Sequence, residues 1–488
     1  MKKFYYLTLA VGLLFISSNL IIGLYKPLWL DEVASLNLLK VTSWSNLLNN
    51  IYNGADTNPP LYFLLLFFVQ KLTKSVIYFR LFSVSLSITG LILLLRFLRK
   101  FVNKQTTSIV LIIISISYFF PQYLMVEVRP YAMFFLLSVL FLVQYYRISF
   151  QNQKNIFNIL SLIFITIFLL YTHYFAIFYI IITLIFESFN KNRKNYLVLI
   201  SILIGILSFI PWVVAIRNQL SLIHGIVWQA KPKIWEIIKL PSFYFNSFLT
   251  IFVLIGSVVG LFIKKIDFTK IHKEYGGFLI LIIIFSLFPF INIILTYFNL
   301  SVSEPRYYIP SYISYIFILA IILNLFELVE YKLLLIPILI ILFIYGSIME
   351  VSYFKFQRSR KEEIKFLLKL NQTSLPILCE SPHKFYPLDF YAKENGISNF
   401  YFILDKESAV LKGNVKNAIF DYYWNENLKH IYKLNHLIPI EEVINCLNAF
   451  YLLNEKDRMI FEHRFENNPS YSVKKEGHGI YFIEKLKY

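Results

Sequence analysis

Apolar runs of roughly twenty residues recur along the chain from Phe4 to Val351. Each run is long enough to cross the ~30 Å hydrocarbon layer of a bilayer as a helix. No small-residue cleavage pattern follows the first run, so we interpret it as a retained span and not a signal peptide. The sequence therefore predicts a polytopic α-helical membrane protein with about eleven transmembrane helices. The candidate spans lie near residues 4–25, 78–98, 107–124, 131–147, 156–172, 174–189, 196–216, 244–263, 277–299, 308–326 and 333–352.

Composition agrees with this prediction and limits the partners. Apolar residues make up 57% of the 488 positions and charged residues only 16%, a balance that is not typical of water-soluble proteins of this length. The net charge is +18, but many basic residues lie in short clusters between the apolar runs, which is the pattern that sets membrane topology. We therefore expect the lipid bilayer to be a partner, and we expect no nucleic acid.

The stretch 59–69 is apolar but only half as long as a span, so it predicts an interfacial or re-entrant helix. With that stretch left out of the count and the N-terminus in the cytoplasm, the basic clusters fall inside, as the positive-inside rule requires. Counting it as a span would place the clusters around Arg96 and Lys191 outside. In the arrangement in which 59–69 is not a span, the cytoplasmic loops contain Arg96, Arg99, Lys100, Lys104, Arg147, Lys154, Lys191, Arg193, Lys194, Lys264, Lys265, Lys270 and Lys273.

The C-terminal part of the chain has a different pattern. From Lys355 onward the apolar runs shorten, charges become frequent, and segments such as 375–379, 400–404 and 479–483 are typical of strands. We predict a membrane module over residues 1–354, with an external loop and short interfacial helices around 26–75, and a soluble extracytoplasmic α/β domain over 355–488. Both cysteines, Cys379 and Cys446, fall in this domain; a disulfide between them stays open.

Several polar groups fall on the predicted outer side, and the first is the pair Asp31 and Glu32 at the end of the first span. A charge at the edge of the hydrocarbon layer is costly, and a partly desolvated carboxylate has a raised pKa that suits it to accept a proton from a hydroxyl group. An interfacial helix cap or an ion pair with Lys26 would explain the same two residues equally well.

A second group of residues could bind an anion. Asn58 precedes Pro59 and Pro60 at the start of the short helix, where free backbone amides attract a phosphate, although Asn58 could simply cap that helix. Arg80, Arg129 and Arg306 lie near span ends, and guanidinium groups bind phosphate with paired hydrogen bonds. Pairing of Arg129 and Arg306 with the neighbouring Glu127 and Glu304, or snorkelling, is the structural alternative.

His173 lies between two spans in an aromatic segment. It could bind a divalent metal together with Glu32 or Glu127, or hydrogen-bond a sugar, but a single histidine in an aromatic belt is more often structural. The sequence has no closely spaced cluster of metal-ligand residues, so a metal stays only a possibility. It also has no glycine-rich phosphate loop, which argues against direct use of a nucleotide or nucleotide sugar.

Taken in order, these residues resemble the GT-C class of membrane glycosyltransferases, in particular the bacterial family 39 and ArnT-like enzymes related to protein O-mannosyltransferases. The resemblance covers roughly the first 350 residues. It implies that Asp31 is the general base, with Glu32 beside it in the first external loop. One position departs from the family pattern: Asn58 stands where His or Lys is usual. The other matching landmarks are Asn58-Pro59-Pro60-Leu61-Tyr62, Arg80-Leu81-Phe82-Ser83, Glu127-Val128-Arg129-Pro130-Tyr131, Tyr171-Thr172-His173-Tyr174 and Pro305-Arg306-Tyr307-Tyr308-Ile309-Pro310.

The resemblance also implies a reaction. A polyprenyl phosphate-linked sugar in the outer leaflet donates its sugar to a lipid, glycan or protein acceptor, with inversion, and the phosphate contacts Arg80, Arg129 and Arg306. A rival reading is a transporter or flippase of a lipid-linked or polar substrate, although polar groups that cluster on one face instead of at mid-membrane argue against it. A polymerase or ligase of surface glycans is a third reading, which product size would distinguish.

Overall fold

The structure is a computed structural model, and it describes residues 2–117, 119–189, 195–222, 235, 239–245, 268–298, 303–325, 362–411, 416–432, 435–454, 460–477 and 479–486. The described chain is rich in helices and carries one sheet. By its contacts the chain divides into two compact units. The first unit comprises Met1–Tyr25, Asn58–Val213 and Lys231–Glu350, and the second comprises Lys26–Thr57, Val214–Ala230 and Val351–Tyr488.

The first unit is helical in its described residues. Its helices are α1 (Lys2–Leu24), α4 (Leu61–Leu72), α5 (Val76–Leu98), α6 (Lys104–Ile116), α7 (Tyr131–Ser149), α8 (Ile156–Leu170), α9 (Ala176–Phe189), α10 (Tyr196–Ser208), α11 (Val213–Leu222, most of which belongs to the second unit), α12 (Leu240–Phe245), α13 (Phe268–Tyr297) and α14 (Ile309–Leu325). Because the helix α10 continues through a 3-10 turn into α11, residues Tyr196–Leu220 form one long apolar segment.

Four of the described helices are long and apolar enough to cross a membrane, and shorter apolar helices accompany them, so the architecture indicates a membrane protein. The four are Val76–Leu98, Tyr131–Ser149, Tyr196–Leu220 and Gly276–Tyr297, at positions where the sequence predicts spans. The predicted short helix over 59–69 is also present, as the twelve-residue helix α4. The predicted span 333–352 and nearly all of 244–263 lie outside the described residues, so the count of eleven stays a prediction.

Two helices differ from their predicted outlines for local reasons. The predicted span 107–124 is a helix only as far as Ile116, and a π-helical turn over Phe119–Leu124 follows it. Pro121 lies in that turn, and its missing amide hydrogen cannot continue an α-helical ladder. The helix α13 bends at Gly276, whose φ of 47° lies in the left-handed region that glycine adopts without strain.

The second unit contains a six-stranded sheet in the order β3-β2-β1-β4-β6-β5. Strands β1 to β4 are parallel, and β6 and β5 extend the sheet in antiparallel fashion. The strands are β1 (Ile377–Cys379), β2 (Phe400–Leu404), β3 (Leu437–Pro439), β4 (Ala449–Leu453), β5 (Tyr471–Gly477) and β6 (Ile480–Lys485), which confirms the three predicted strand segments. The helices are α2 (Leu30–Leu38), α3 (Trp44–Tyr52), α15 (Pro382–Glu394), α16 (Lys406–Leu411), α17 (Lys416–Tyr432) and α18 (Ile440–Cys446).

Alternating strand residues fill both sides of the sheet, as expected for strands buried between helices. On one face Leu378 and Ile403 pack against Val443 of α18. On the other face the Phe385 ring of α15 lies 5.1 Å from the Phe400 ring. Residues 26–57, which the sequence predicts to be an external loop of the membrane module, group with this sheet-bearing unit by contact. Both cysteines are free: Cys379 is buried in β1 and Cys446 is exposed.

Candidate functional site

The predicted site residues divide between the two units. The carboxylates Asp31 and Glu32 belong to the second unit. The remaining residues belong to the first unit: Asn58, Arg80, Glu127, Arg129, Tyr131, His173, Arg306 and Tyr307.

Asp31 and Glu32 occupy the first turn of α2. The preceding Trp29 makes no side-chain capping hydrogen bond, and the positive dipole end of this helix favours carboxylates close by. Asp31 is half-buried and Glu32 is fully buried. Because Glu32 is buried, the first turn of α2 is fixed. The more accessible Asp31 carboxylate on the same turn therefore has a defined position, which a general base requires.

His173 lies in the loop between α8 and α9, and only 3% of its surface is exposed. Its ring stacks on the Phe134 ring, with centroids 4.8 Å apart and planes 2° from parallel. The Nδ1 atom accepts a hydrogen bond from the Phe175 amide at 3.2 Å, so the neutral ring carries its proton on Nε2. Within the described part of the chain, Nε2 has no hydrogen-bond partner. The imidazole therefore presents one unused N–H donor.

Two arginines act on this imidazole. Burial first, and then the charges of Arg129 and Arg306, lower the pKa of His173 from its usual value to about 3. The histidine is consequently neutral at physiological pH, while both guanidinium groups keep their charge. We call Arg129, His173 and Arg306 the arginine–histidine cluster. Such a group of fixed cations with a neutral donor attracts an anion and repels a metal ion.

Aromatic rings hold the arginine–histidine cluster in place. The Arg129 guanidinium lies 5.9 Å from the centroid of the Phe63 ring, and the Arg306 guanidinium lies 6.0 Å from Tyr131 and 5.5 Å from Tyr307. The Tyr307 ring is also 5.4 Å from the His173 ring. Cation–π contacts at these distances help to fix the orientation of a guanidinium group. The structure thus brings together five of the eight predicted residues of the first unit.

The short helix α4 adjoins this loop through its backbone. The Leu61 amide donates to the Tyr171 carbonyl at 2.9 Å, two residues before His173. Asn58 is buried just upstream, and Pro60 occupies the position before the helix, where it makes no side-chain capping hydrogen bond. Glu127 is also buried, two residues before Arg129.

Arg80 has a clear structural role. Its guanidinium is buried and donates to the carbonyl oxygens of Gly23 and Leu24, at 3.3 and 2.9 Å. These carbonyls lie at the end of α1, where backbone acceptors lack helical partners and a cation stabilises the negative dipole end. These hydrogen bonds explain why Arg80 is buried, and the explanation requires no ligand.

No family model matches the chain, and no curated protein matches it significantly. Among the described residues, no three His, Cys, Asp or Glu side chains group closely enough to hold a metal ion. The contacts of His173 are with aromatic rings and the charges near it are positive, so its surroundings do not suit a divalent metal.

Sequence reasoning missed several contributors to the site. Phe63, Phe134 and Phe175 contact the cluster, but nothing in the sequence distinguishes them from the rest of its 49 phenylalanines. Asn292 is different, because a buried amide inside an apolar helix is a recognisable signal. Its Nδ2 donates to the Tyr308 hydroxyl at 2.7 Å, and that hydroxyl donates to Ser303 at 2.7 Å, which anchors the segment that carries Arg306.

Proposed function

We propose that this chain is an integral membrane glycosyltransferase that transfers a sugar from a polyprenyl phosphate-linked donor to an acceptor on the outer side of the membrane. The observation that carries the proposal is the arginine–histidine cluster, in which Arg129 and Arg306 both act on the buried His173. Two fixed guanidinium groups and a neutral N–H donor suit the phosphate of such a donor, which gains negative charge as the sugar leaves.

Asp31 is the proposed base. The acceptor hydroxyl gives its proton to the Asp31 carboxylate while its oxygen attacks the anomeric carbon of the donor sugar. The bond between that carbon and the phosphate oxygen breaks, polyprenyl phosphate leaves with the bonding electrons, and the configuration inverts. The cluster offsets the charge that grows on the leaving phosphate, and no nucleotide takes part.

The proposal includes a location and a topology. The chain spans a bacterial plasma (inner) membrane about eleven times as a GT-C type module, with the reacting groups and the C-terminal domain on the extracytoplasmic side. The helices α5, α7, α10 and α13 support the coarser statement that the protein is a membrane protein. The basic clusters in the sequence support the orientation.

The test is release of free polyprenyl phosphate from a panel of polyprenyl phosphate sugars, with purified protein and membrane extract as the acceptor source. We expect release by the wild type and a loss of at least about a hundredfold in Asp31→Asn, because a general base contributes roughly 10²–10⁴ to the rate. The matched control is Glu484→Gln, which neutralises an exposed carboxylate of β6 and should retain full activity.

Near-normal turnover of a folded Asp31→Asn protein would remove Asp31 from the proposed role. If well-folded wild type releases nothing from any donor, the favoured function becomes a transporter or flippase of the same lipid-linked substrate, because an anion-binding site serves a carrier equally well. A product lengthened by a whole oligosaccharide would instead identify a polymerase or ligase.

A further inference from the structure

The second unit contains a cavity of about 290 Å³ between α2 and α15. Its volume is at the small end of the range for ligand pockets, which suits one or two sugar rings. The α2 side supplies Val33, Asn37 and the following Lys40. Val33 and Asn37 are four residues apart and form one stripe of α2, and Lys40 follows the end of that helix at Leu38.

Four charged side chains line the cavity: the cations Lys40 and Lys393 and the carboxylates Asp389 and Glu394. Asp389 is held by Lys393, with 2.7 Å between carboxylate and ammonium. The Lys40 side chain is exposed, yet partial desolvation and the charge of Lys393 lower its pKa, and these effects exceed the opposing attraction of Asp389. Among the described residues, no hydrogen bond or ion pair reaches the Lys40 ammonium. A negative group on a ligand would offset the repulsion between Lys40 and Lys393 and replace water as a hydrogen-bond acceptor of Lys40.

The other residues that line the cavity can recognise features of a ligand besides its negative charge. Asn37 can both donate and accept hydrogen bonds, and Glu394 accepts them, which is the mixture that neighbouring hydroxyl groups require. The Phe390 ring and the Val33 side chain add an apolar wall. Inorganic ions use neither feature, whereas a pyranose ring offers hydroxyl edges and an apolar face.

We propose that this cavity binds an acidic sugar residue, one that carries a carboxylate or a phosphate, and that this residue belongs to the acceptor. The second half of the proposal rests on the proposed function. Helix α2 also carries Asp31, with Val33 about 3 Å and Asn37 about 9 Å further along its axis. At about 100° per residue, however, Asp31 faces a different side of α2 from the stripe. The bound residue is therefore an inner residue of the acceptor glycan, and a neighbouring sugar of the same glycan carries the reacting hydroxyl.

The binding test uses full-length protein in detergent without any donor, and four probes: glucuronic acid, glucose 6-phosphate, glucose and inorganic phosphate. We expect saturation-transfer NMR to detect one or both acidic sugars, and Lys40→Ala to weaken their binding about tenfold, the effect of losing one charged hydrogen bond. Lys40→Arg should retain binding, and so should Lys475→Ala, which removes an exposed lysine of β5 outside the cavity. The tighter acidic probe identifies the acid.

Three results would overturn the proposal: glucose binding as tightly as glucuronic acid, inorganic phosphate binding as tightly as glucose 6-phosphate, or Lys40→Ala binding like the wild type. Turnover provides a separate readout, in which Lys40→Ala should raise the KM for acceptor about tenfold and leave kcat within about twofold. Binding without turnover in the wild type keeps the site and rejects the transferase. Turnover without binding keeps the transferase and rejects the site.

Discussion

The His173 imidazole is fixed as a hydrogen-bond donor, because Nδ1 accepts from the Phe175 amide and the pKa lies at about 3. We therefore expect His173→Gln, which keeps a neutral N–H group, to retain most donor affinity. His173→Phe removes the donor and should raise the KM for the polyprenyl phosphate sugar about tenfold or more. Because the folded-state pKa is far below 6.5, kcat/KM should show no ionisation of this histidine between pH 5 and pH 8.

Steady-state kinetics of the three proteins across that pH range provides the measurement. A step in kcat/KM near pH 6.5 that disappears in His173→Gln would contradict the neutral-donor interpretation and assign acid–base chemistry to the histidine.

Asp405, which directly follows β2, should control the stability of the second unit at acid pH. Arg464 donates two hydrogen bonds to Asp405, at 2.9 and 3.0 Å. Burial alone would raise the pKa of Asp405, but the hydrogen bonds from Arg464 and Ser408 together outweigh it and lower the pKa below 3.8. A lowered folded-state pKa stabilises the fold above the unfolded-state pKa, and that contribution is lost as the pH falls from about 4 through the lowered value.

We accordingly expect Arg464→Ala to lower the free energy of unfolding by about 3 kcal/mol at pH 7, and by less below pH 4. Urea denaturation of the full-length protein in detergent measures both values, with hydrogen exchange of the β2 amides as the readout. The control is Lys474→Ala, which breaks an exposed pair with Glu476 and should cost less than about 1 kcal/mol. An equal loss from Arg464→Ala at pH 7 and pH 3 would argue against this linkage.

At the scale of the elements, the helices α5 and α7 approach each other at a glycine. A Cβ atom on Gly90 would lie 2.8 Å from Cδ1 of Phe135 and 3.2 Å from the Leu136 backbone, so neither neighbour leaves room for it. We expect Gly90→Ala to lower the free energy of unfolding by about 1–3 kcal/mol, and with it the melting temperature, despite the better helix propensity of alanine. Gly277→Ala is the matched control, since its nearest contact is an ordinary 3.4 Å to Phe150. Equal melting temperatures for the two variants in detergent would refute the close approach.

At the scale of the whole molecule, length and periodicity were enough to predict α5, α7 and the strands β1 and β2, because each pattern is local. Contacts between distant residues were not predictable. The Arg80 guanidinium binds carbonyls more than fifty positions upstream, and the Leu28 amide donates to the Tyr391 hydroxyl, which ties residues near α2 to α15. Single motifs indicated Arg129, His173 and Arg306 separately, but only the fold brings them together.

The orientation of the molecule can be tested with its own cysteines. Cys446 is exposed on the second unit and Cys379 is buried, so a membrane-impermeant thiol reagent should label wild type once in intact cells, if that unit is extracytoplasmic. Cys446→Ser should abolish the labelling. In that background, Gln153→Cys places a thiol in the exposed loop between α7 and α8, which the positive-inside rule assigns to the cytoplasm, and labelling should then require permeabilised cells. Labelling of Cys446 only after permeabilisation would place the second unit inside. Asp31 belongs to the same unit, so the proposed base could not then act on a donor in the outer leaflet.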